Sequence, residues 1–159
     1  MATATSGTTG RLLITGVDSS GRSCAVQNHE VTLQGDAGMP GVLYSVLFGT
    51  PATPSIPDGG RAANVLDLGI TPGAINWMTI EYAPGTTLSM HHTDTLDYDI
   101  VLWGSIELIL DDGVHPLAPG DSVVVTGVDH AWHAGPDGCR LSVVAIGAAP
   151  SPARTQIRG

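Results

Sequence analysis

The sequence predicts an all-β protein, an antiparallel sandwich or barrel with few or no helices. Three observations predict it. The apolar runs are short. Glycine and proline, 21 and 11 of 159 residues, punctuate them at frequent intervals. No long segment carries a helical period of apolar positions.

The elements follow in order along the chain. Residues 1–9 are small and polar and are expected to be loose. Arg11–Thr15 and Ser23–Gln27 read as strands on either side of the turn GVDSSG, and Gly41–Gly49 (GVLYSVLFG) reads as another. Residues 50–60, TPATPSIPDGG, hold three prolines and two glycines and form a loop. Ala74–Tyr82 alternates Ile75, Trp77, Thr79 and Glu81 with Asn76, Met78, Ile80 and Tyr82, and the pattern leaves open which face is inner. Strands then come at close spacing: Thr87–His92, Asp97–Trp103, Ser105–Leu110, Asp121–Thr126, Ala131–His133 and Cys139–Ile146. The breaks are Asp111-Asp112-Gly113, Ala118-Pro119-Gly120 and Gly135-Pro136-Asp137-Gly138, and Asp-Gly and Pro-Asp-Gly are hairpin chemistry. From Ala149 onward the chain reads as an arm or a disordered tail, which leaves one domain over 10–147 and a tail over 148–159.

Composition narrows the function classes. A chain of this length buries about two-thirds of the surface it exposes when unfolded, enough for a real core. The net charge of -9 argues against nucleic acid and against an anionic membrane surface, because both need clustered Lys and Arg. The chain has no lysine; its basic residues are Arg11, Arg22, Arg61, Arg140, Arg154 and Arg158. Schiff-base chemistry, a lysine base and a phosphate-binding P-loop are therefore excluded. Cys24 and Cys139 are far apart, outside any CxxC or zinc-ribbon spacing, and read as buried thiols. The N-terminus lacks the apolar stretch of a signal peptide and no later run approaches a membrane span, so a cytoplasmic location is the expectation.

Chemistry concentrates in MHHTDTLDYDIVLWG, residues 90–104. Gly85 is followed by five residues, then His91-His92-Thr93, then three residues, Asp97, six residues and Gly104. Further on, Gly120 leads to Gly127, with His130 three residues beyond it and Ala134 four beyond that. This arrangement resembles the cupin superfamily. Its first motif is Gly, five residues, His-x-His, three or four residues, Glu, six residues, Gly; its second is Gly, five residues, Pro-x-Gly, two residues, His, three residues, Asn. The resemblance covers residues 75–147 and has five departures. Thr93 stands in the second-histidine slot, and Asp97 replaces Glu. The second motif is one residue short and lacks its proline, and Ala134 replaces Asn. Arg11–Gln27 is similar to the N-terminal part of a subgroup of small single-domain cupins in which His-Arg-Thr-x-x-x-Asp-Tyr replaces His-x-His; His92 falls in the Arg slot.

The resemblance implies a double-stranded β-helix, the jelly-roll barrel, with motif residues facing its mouth. It also implies a divalent transition metal (Fe, Mn, Ni or Zn) held by His91, Asp97 and His130. Two imidazoles and a carboxylate suit such ions and leave positions for water and substrate. Strand alternation puts His91 and Thr93 on one face and turns His92 away, so His92 enters the ligand set only if the strand end is distorted. Asp97, one methylene shorter than Glu, stays open between ligand, pocket base and structural acid. Tyr98 is a candidate proton donor, as a phenol near the mouth. Thr93, Trp132 and Trp103 are candidates for lining the substrate pocket. His92 and His133 otherwise read as surface or dimer-contact residues, and His29 and His115 as exposed loop residues. Asp94, Asp99, Asp111 and Asp112 read as solvated acids, and Met78 and Met90 as core.

Three functions are weighed. The first is metal-assisted acid–base catalysis (a lyase, dehydratase, isomerase or cyclase) on a small carbonyl or hydroxy compound, in secondary metabolism. The second is an Fe(II)-dependent dioxygenase on a small aromatic or polyketide-like substrate, and the third a metal-free small-ligand-binding domain. The partners expected are a small-molecule substrate and, from the resemblance, a second copy in a homodimer.

Overall fold

The computed structural model describes residues 6–35, 42–49 and 55–149. Ten strands make it up: β1 (Ser6–Val17), β2 (Ser23–Gly35), β3 (Leu43–Tyr44), β4 (Asn64–Val65), β5 (Ile75–Tyr82), β6 (Thr87–His92), β7 (Thr95–Leu110), β8 (Gly113–Leu117), β9 (Ser122–Val125) and β10 (His130–Gly147). The fold is all-β, and among the described residues no helix is long and apolar enough to cross a membrane. The strand order is β3-β2-β1-β9-β7-β10-β6-β4, with β5 on β10 and β8 on β7. Most pairs are antiparallel, as the hairpin turns require. However, β1–β9 and β4–β6 run parallel, so the sheet is mixed.

The two longest strands serve both layers of the barrel. β10 pairs with β6 through His130–His133 and with β5 through Cys139–Ile146. β7 pairs with β8 through Ile106–Leu110 and with β9 through Asp97–Ile100. Leu108, Leu110, Leu117 and Trp132 from one half meet Leu13, Val123, Leu141 and Val143 from the other in a single buried cluster. Burying such aliphatic side chains stabilises by about 1.5–3 kcal/mol each.

Two expected breaks turn out differently. The two strands expected on either side of Gly104 are one strand, and so are those flanking Gly135–Gly138. Pairing jumps from Ala134↔Ile106 to Cys139↔Gly104, so the expected turn is absorbed as an irregularity inside β10. Gly104 has φ +76°, and a Cβ on it would lie 2.0 Å from the Gly138 carbonyl oxygen; only glycine permits that close approach. Gly41–Gly49 forms a strand only at Leu43–Tyr44, with residues 45–49 irregular; residue 41 lies outside the described residues. Ser6–Thr9, expected to be loose, extend β1, and β4 and β8 are strands that the apolar pattern missed. Residues 1–5, 50–54 and 150–159 lie outside the described residues.

The open face of β5 resolves. Met78, Ile80 and Tyr82 pack on the core, while Ile75 and Trp77 face outward, with Trp77 Nε1 donating to Ser142 Oγ at 2.8 Å. Met90 is half-exposed rather than core. Both thiols are free; Cys139 is buried, and Cys24 only partly so. His29 and His115 lie on strands β2 and β8 rather than in loops, and His115 Nε2 is 2.8 Å from Asp112 Oδ1.

Candidate active site

β6 and β10 run antiparallel with His91 directly opposite His130. The turn at Gly127, φ +70°, launches β10 so that His130 is its first residue. The two imidazole centroids are 4.3 Å apart, tilted by 55°. Both rings are buried, at 7% and 3% exposure. His91 Nδ1 lies 2.8 Å from the Ser89 carbonyl oxygen, and His130 Nδ1 lies 2.9 Å from that of Val128. A carbonyl only accepts, so each Nδ1 carries the proton and donates it. In the neutral ring Nε2 then keeps its lone pair. Trp132 stands edge-on to His130, centroids 5.8 Å apart, and forms an apolar wall beside the ring. Burial first, and the neighbouring His91 second, drive the His130 pKa down to about 4. His130 is thus neutral over the physiological range.

Thr93 and Asp94 form the corner from β6 into β7. Thr93 and Thr95 are both buried, and Thr95 Oγ1 donates to Thr93 Oγ1 at 2.8 Å. Asp97 is 8% exposed, and burial pushes its pKa up to about 6. Its Oδ1 has no hydrogen-bond partner.

Asp99, expected on the surface, is buried at 5% exposure on the same side of β7 as Asp97, and its Oδ1 is also unpartnered. Burial first, and the Asp97 charge second, raise its pKa well above the ordinary carboxylate range. Tyr82 faces the same interior, and burial together with the Asp99 charge pushes its hydroxyl pKa up. A strand that alternates inner acid with outer apolar residue was readable here, but an Asp between Tyr98 and Ile100 reads as the polar side of a half-buried strand.

The remaining candidates separate. Tyr98 lies on the opposite face of β7 from Asp97, packed on Phe48 with ring centroids 5.8 Å apart, in a second apolar cluster with Leu12, Ile14 and Val124. Alternation alone takes it out of the barrel interior. Trp103 is 50% exposed and lines neither the imidazole pair nor the core. His92, expected at the surface, is covered because β4 pairs alongside β6; its Nδ1 is 3.3 Å from Asp129 Oδ1. Asp129 in turn accepts from the Ala62 and Ala63 backbone amides, the latter at 3.1 Å. His133 Nδ1 meets Thr87 Oγ1 at 2.9 Å, and Asp94 pairs with Arg61.

The metal that the family resemblance implies needs at least three protein ligands. Among the described residues no three His, Cys, Asp or Glu side chains gather into a group able to hold a metal ion. His91 and His130 offer two fixed nitrogens; Asp97 is shorter by a methylene than Glu, and Thr93 brings a hydroxyl where the family has an imidazole. Two nitrogens fall short of the three protein ligands on which open divalent sites rest. The set His91, Asp97 and His130, with or without His92, is not assembled as a metal site.

No protein-family model matches the chain. Three curated fungal proteins are similar to it. The cupin-domain-containing oxidoreductase fogC of Aspergillus ruber is 31% identical over 129 residues, 75% of this chain and 61% of that protein. The cupin-domain-containing oxidoreductase virC of Hypocrea virens is 30% identical over 126 residues, 76% of this chain and 64% of that one. Phomopsin biosynthesis cluster protein C′ of Diaporthe leptostromiformis is 35% identical over 92 residues, 57% of this chain and 41% of that one. The chain thus spans between about two-fifths and just under two-thirds of the relatives it matches. An all-β barrel, both glycine–histidine motifs in register with their histidines opposed, and two relatives described by their cupin domain lead to one conclusion: the chain belongs to the cupin superfamily.

Proposed function

We propose that this protein is an acid–base enzyme of secondary metabolism, a lyase, dehydratase, isomerase or cyclase, acting on a small carbonyl or hydroxy compound. The observation that carries this reading is the pair of opposed imidazoles, each with Nδ1 tied to a carbonyl and Nε2 unprotonated. A positioned base or acid of this kind contributes about 10²–10⁴-fold. His130 resists protonation and stays neutral beside His91. His91 Nε2 takes a proton from carbon or oxygen of the substrate and returns it at another atom, while neutral His130 accepts a hydrogen bond beside it. Trp132 keeps water from that side of the ring. No step is routed through a metal, because the donor set as placed does not hold one.

The description of two relatives as oxidoreductases favours a second reading, an oxidation on a small aromatic or polyketide-like substrate. That reading needs a redox partner for the two imidazoles. Oxygen consumption with bound iron separates it from the first.

The proposal includes a small-molecule substrate and a homodimer, with the outward Ile75, Trp77, Ile100 and Leu102 as apolar surface for a second copy. Light scattering reads the oligomeric state.

The test of the acid–base reading is solvent exchange. In D2O, the protein should catalyse deuterium incorporation next to the carbonyl of members of a panel of small aryl ketones, read by mass spectrometry. His91→Asn and His130→Asn keep a donor near the Nδ1 position and remove Nε2, and should lose at least about 10²-fold. Exchange that is unchanged in both variants contradicts the proposal.

A further inference from the structure

The outer face of the sheet that β1, β9, β7, β10 and β5 build is half covered. Strand register sets Ile14, Val124, Tyr98, Val144 and Trp77 side by side across those five strands. Phe48 lies over one end of the row, packed with Tyr98 against Leu12, Ile14 and Val124. Among the described residues the other end is bare: Trp77 is 80% exposed and Ile75 65%. Between the two ends lies a cavity of about 330 Å³, floored by Val144 and Ser142 and walled by Phe48, Tyr98, Ile100 and Trp77. Three of the chain's seven Trp, Tyr and Phe side chains therefore meet at one cavity. Neighbouring strands lie about 4.8 Å apart, so Tyr98 and Trp77 stand about 10 Å apart on either side of Val144. Aromatic rings contact at centroid separations of about 4.5–7 Å, so that gap takes one further ring. The Trp77 indole is itself held in one orientation by its bond to Ser142 Oγ.

We propose that a second copy of this chain docks on this face about a two-fold axis, with each copy's Trp77 entering the other's cavity. The proposal rests on the homodimer reading and names the anchor of that dimer. Charge, symmetry and size point the same way. Two chains of net charge -9 repel, so they meet most readily where that charge is absent. Strand alternation leaves one acid and one base among the outward positions of β5, β9, β10 over 139–147 and β7 over 95–103. These are Glu81 and Arg140, and they pair with each other at 2.9 Å. Asp97 and Asp99 lie on the inner side of β7. A two-fold interface brings one patch against itself, so projection and cavity must share a face, as Trp77 and this cavity do. An apolar cavity of about 150 Å³ holds benzene, so about twice that volume takes a bicyclic indole. A small ring compound would fill the cavity but leave Ile75 in water, whereas a second copy covers both. Buried tryptophans are also the commonest anchors of protein interfaces.

The experiment is sedimentation equilibrium on the full chain at concentrations up to about 100 μM, with circular dichroism to check that each variant is folded. Wild type should be a dimer. Trp77→Glu changes an exposed side chain and should weaken association by at least about 30-fold, the loss of a central anchor. Val144→Trp fills the cavity from its floor and should weaken association to a similar degree with Trp77 intact. Val26→Glu, at an exposed position on β2, should dimerise as wild type does, which separates this face from an exchange of N-terminal strands. A dimer unchanged in Trp77→Glu, or lost only in Val26→Glu, overturns the proposal and leaves the homodimer itself standing. A wild-type chain that stays monomeric at that concentration overturns both. None of these arms reads catalysis, so the exchange test of the imidazole pair stands apart from them.

Discussion

His91 and His130 face each other across the β6–β10 ladder, ring centroids 4.3 Å apart, each held by the carbonyl of the residue two positions before it. The two carbonyls fix the tautomer of both rings, and a buried pair so fixed is poised to move a proton. Replacing either ring with Gln, which reaches toward the Nε2 position but is no base, should leave the thermal midpoint within a few degrees of wild type and abolish deuterium exchange. Differential scanning calorimetry beside the exchange assay checks both halves.

The buried groups predict an acid-limb signature. The His130 pKa falls from 6.5 to about 4 on folding, so the unfolded chain binds more protons between those values, and this group's stability is present above pH 6.5 and lost as pH falls toward 4. The Asp97 pKa rises from 3.8 to about 6, so its contribution runs the other way and is lost as pH rises over nearly the same window. Each is worth on the order of 3 kcal/mol across its window. Between pH 4 and 6, Asp97→Asn should therefore gain stability relative to wild type by about that amount. His130→Asn should lose a similar amount relative to wild type from pH 4 to 6.5. Urea titrations at half-unit pH intervals measure the differences.

Asp99 sharpens that pattern. It is buried, unpartnered at Oδ1, and its pKa is raised. Folding then opposes its ionisation, and stability is lost as pH rises above the unfolded-state value of 3.8. Asp99→Asn should be more stable than wild type at pH 7, with the gap closing as pH falls toward 4. A wild-type chain more stable than Asp99→Asn at pH 7 would show that the carboxylate has a partner in solution.

Gly104 tests the merging of two expected strands into β7. Its positive φ and the 2.0 Å approach of an added Cβ to the Gly138 oxygen predict that Gly104→Ala costs on the order of 3 kcal/mol. Leu108→Ala, at a fully buried position, should cost about 2–5 kcal/mol through its cavity. Chemical denaturation of both reads these values.

The legible parts of the fold were those written in local chemistry. Asp111-Asp112-Gly113 marks a tight hairpin, since Leu110 pairs with Gly113. The glycines at 104 and 127 both adopt a positive φ, the first inside β7 against Gly138 and the second in the turn before β10. What escaped was non-local. Gly135–Gly138 looks like a turn, yet β7 continues alongside and absorbs it within β10. β4 has two residues and exists only because β6 lies beside it. That same pairing buries His92, which alternation alone had sent to solvent. Within the site, the opposed histidines follow from motif register, whereas their tautomers follow from carbonyl positions that no spacing encodes. Asp99 and Tyr98 alternate as expected, but which of them faces inward depends on β9 and β10 on either side.

The central claim is that both rings carry their proton on Nδ1 and present a bare Nε2. Long-range ¹H–¹⁵N correlation spectra of histidine-labelled protein at pH 7 report this directly. The account predicts the Nδ1–H tautomer for His91 and His130 alike, with His130 staying neutral down to about pH 5. An Nε2–H tautomer at either ring, or a His130 that protonates near its ordinary pKa, would contradict it.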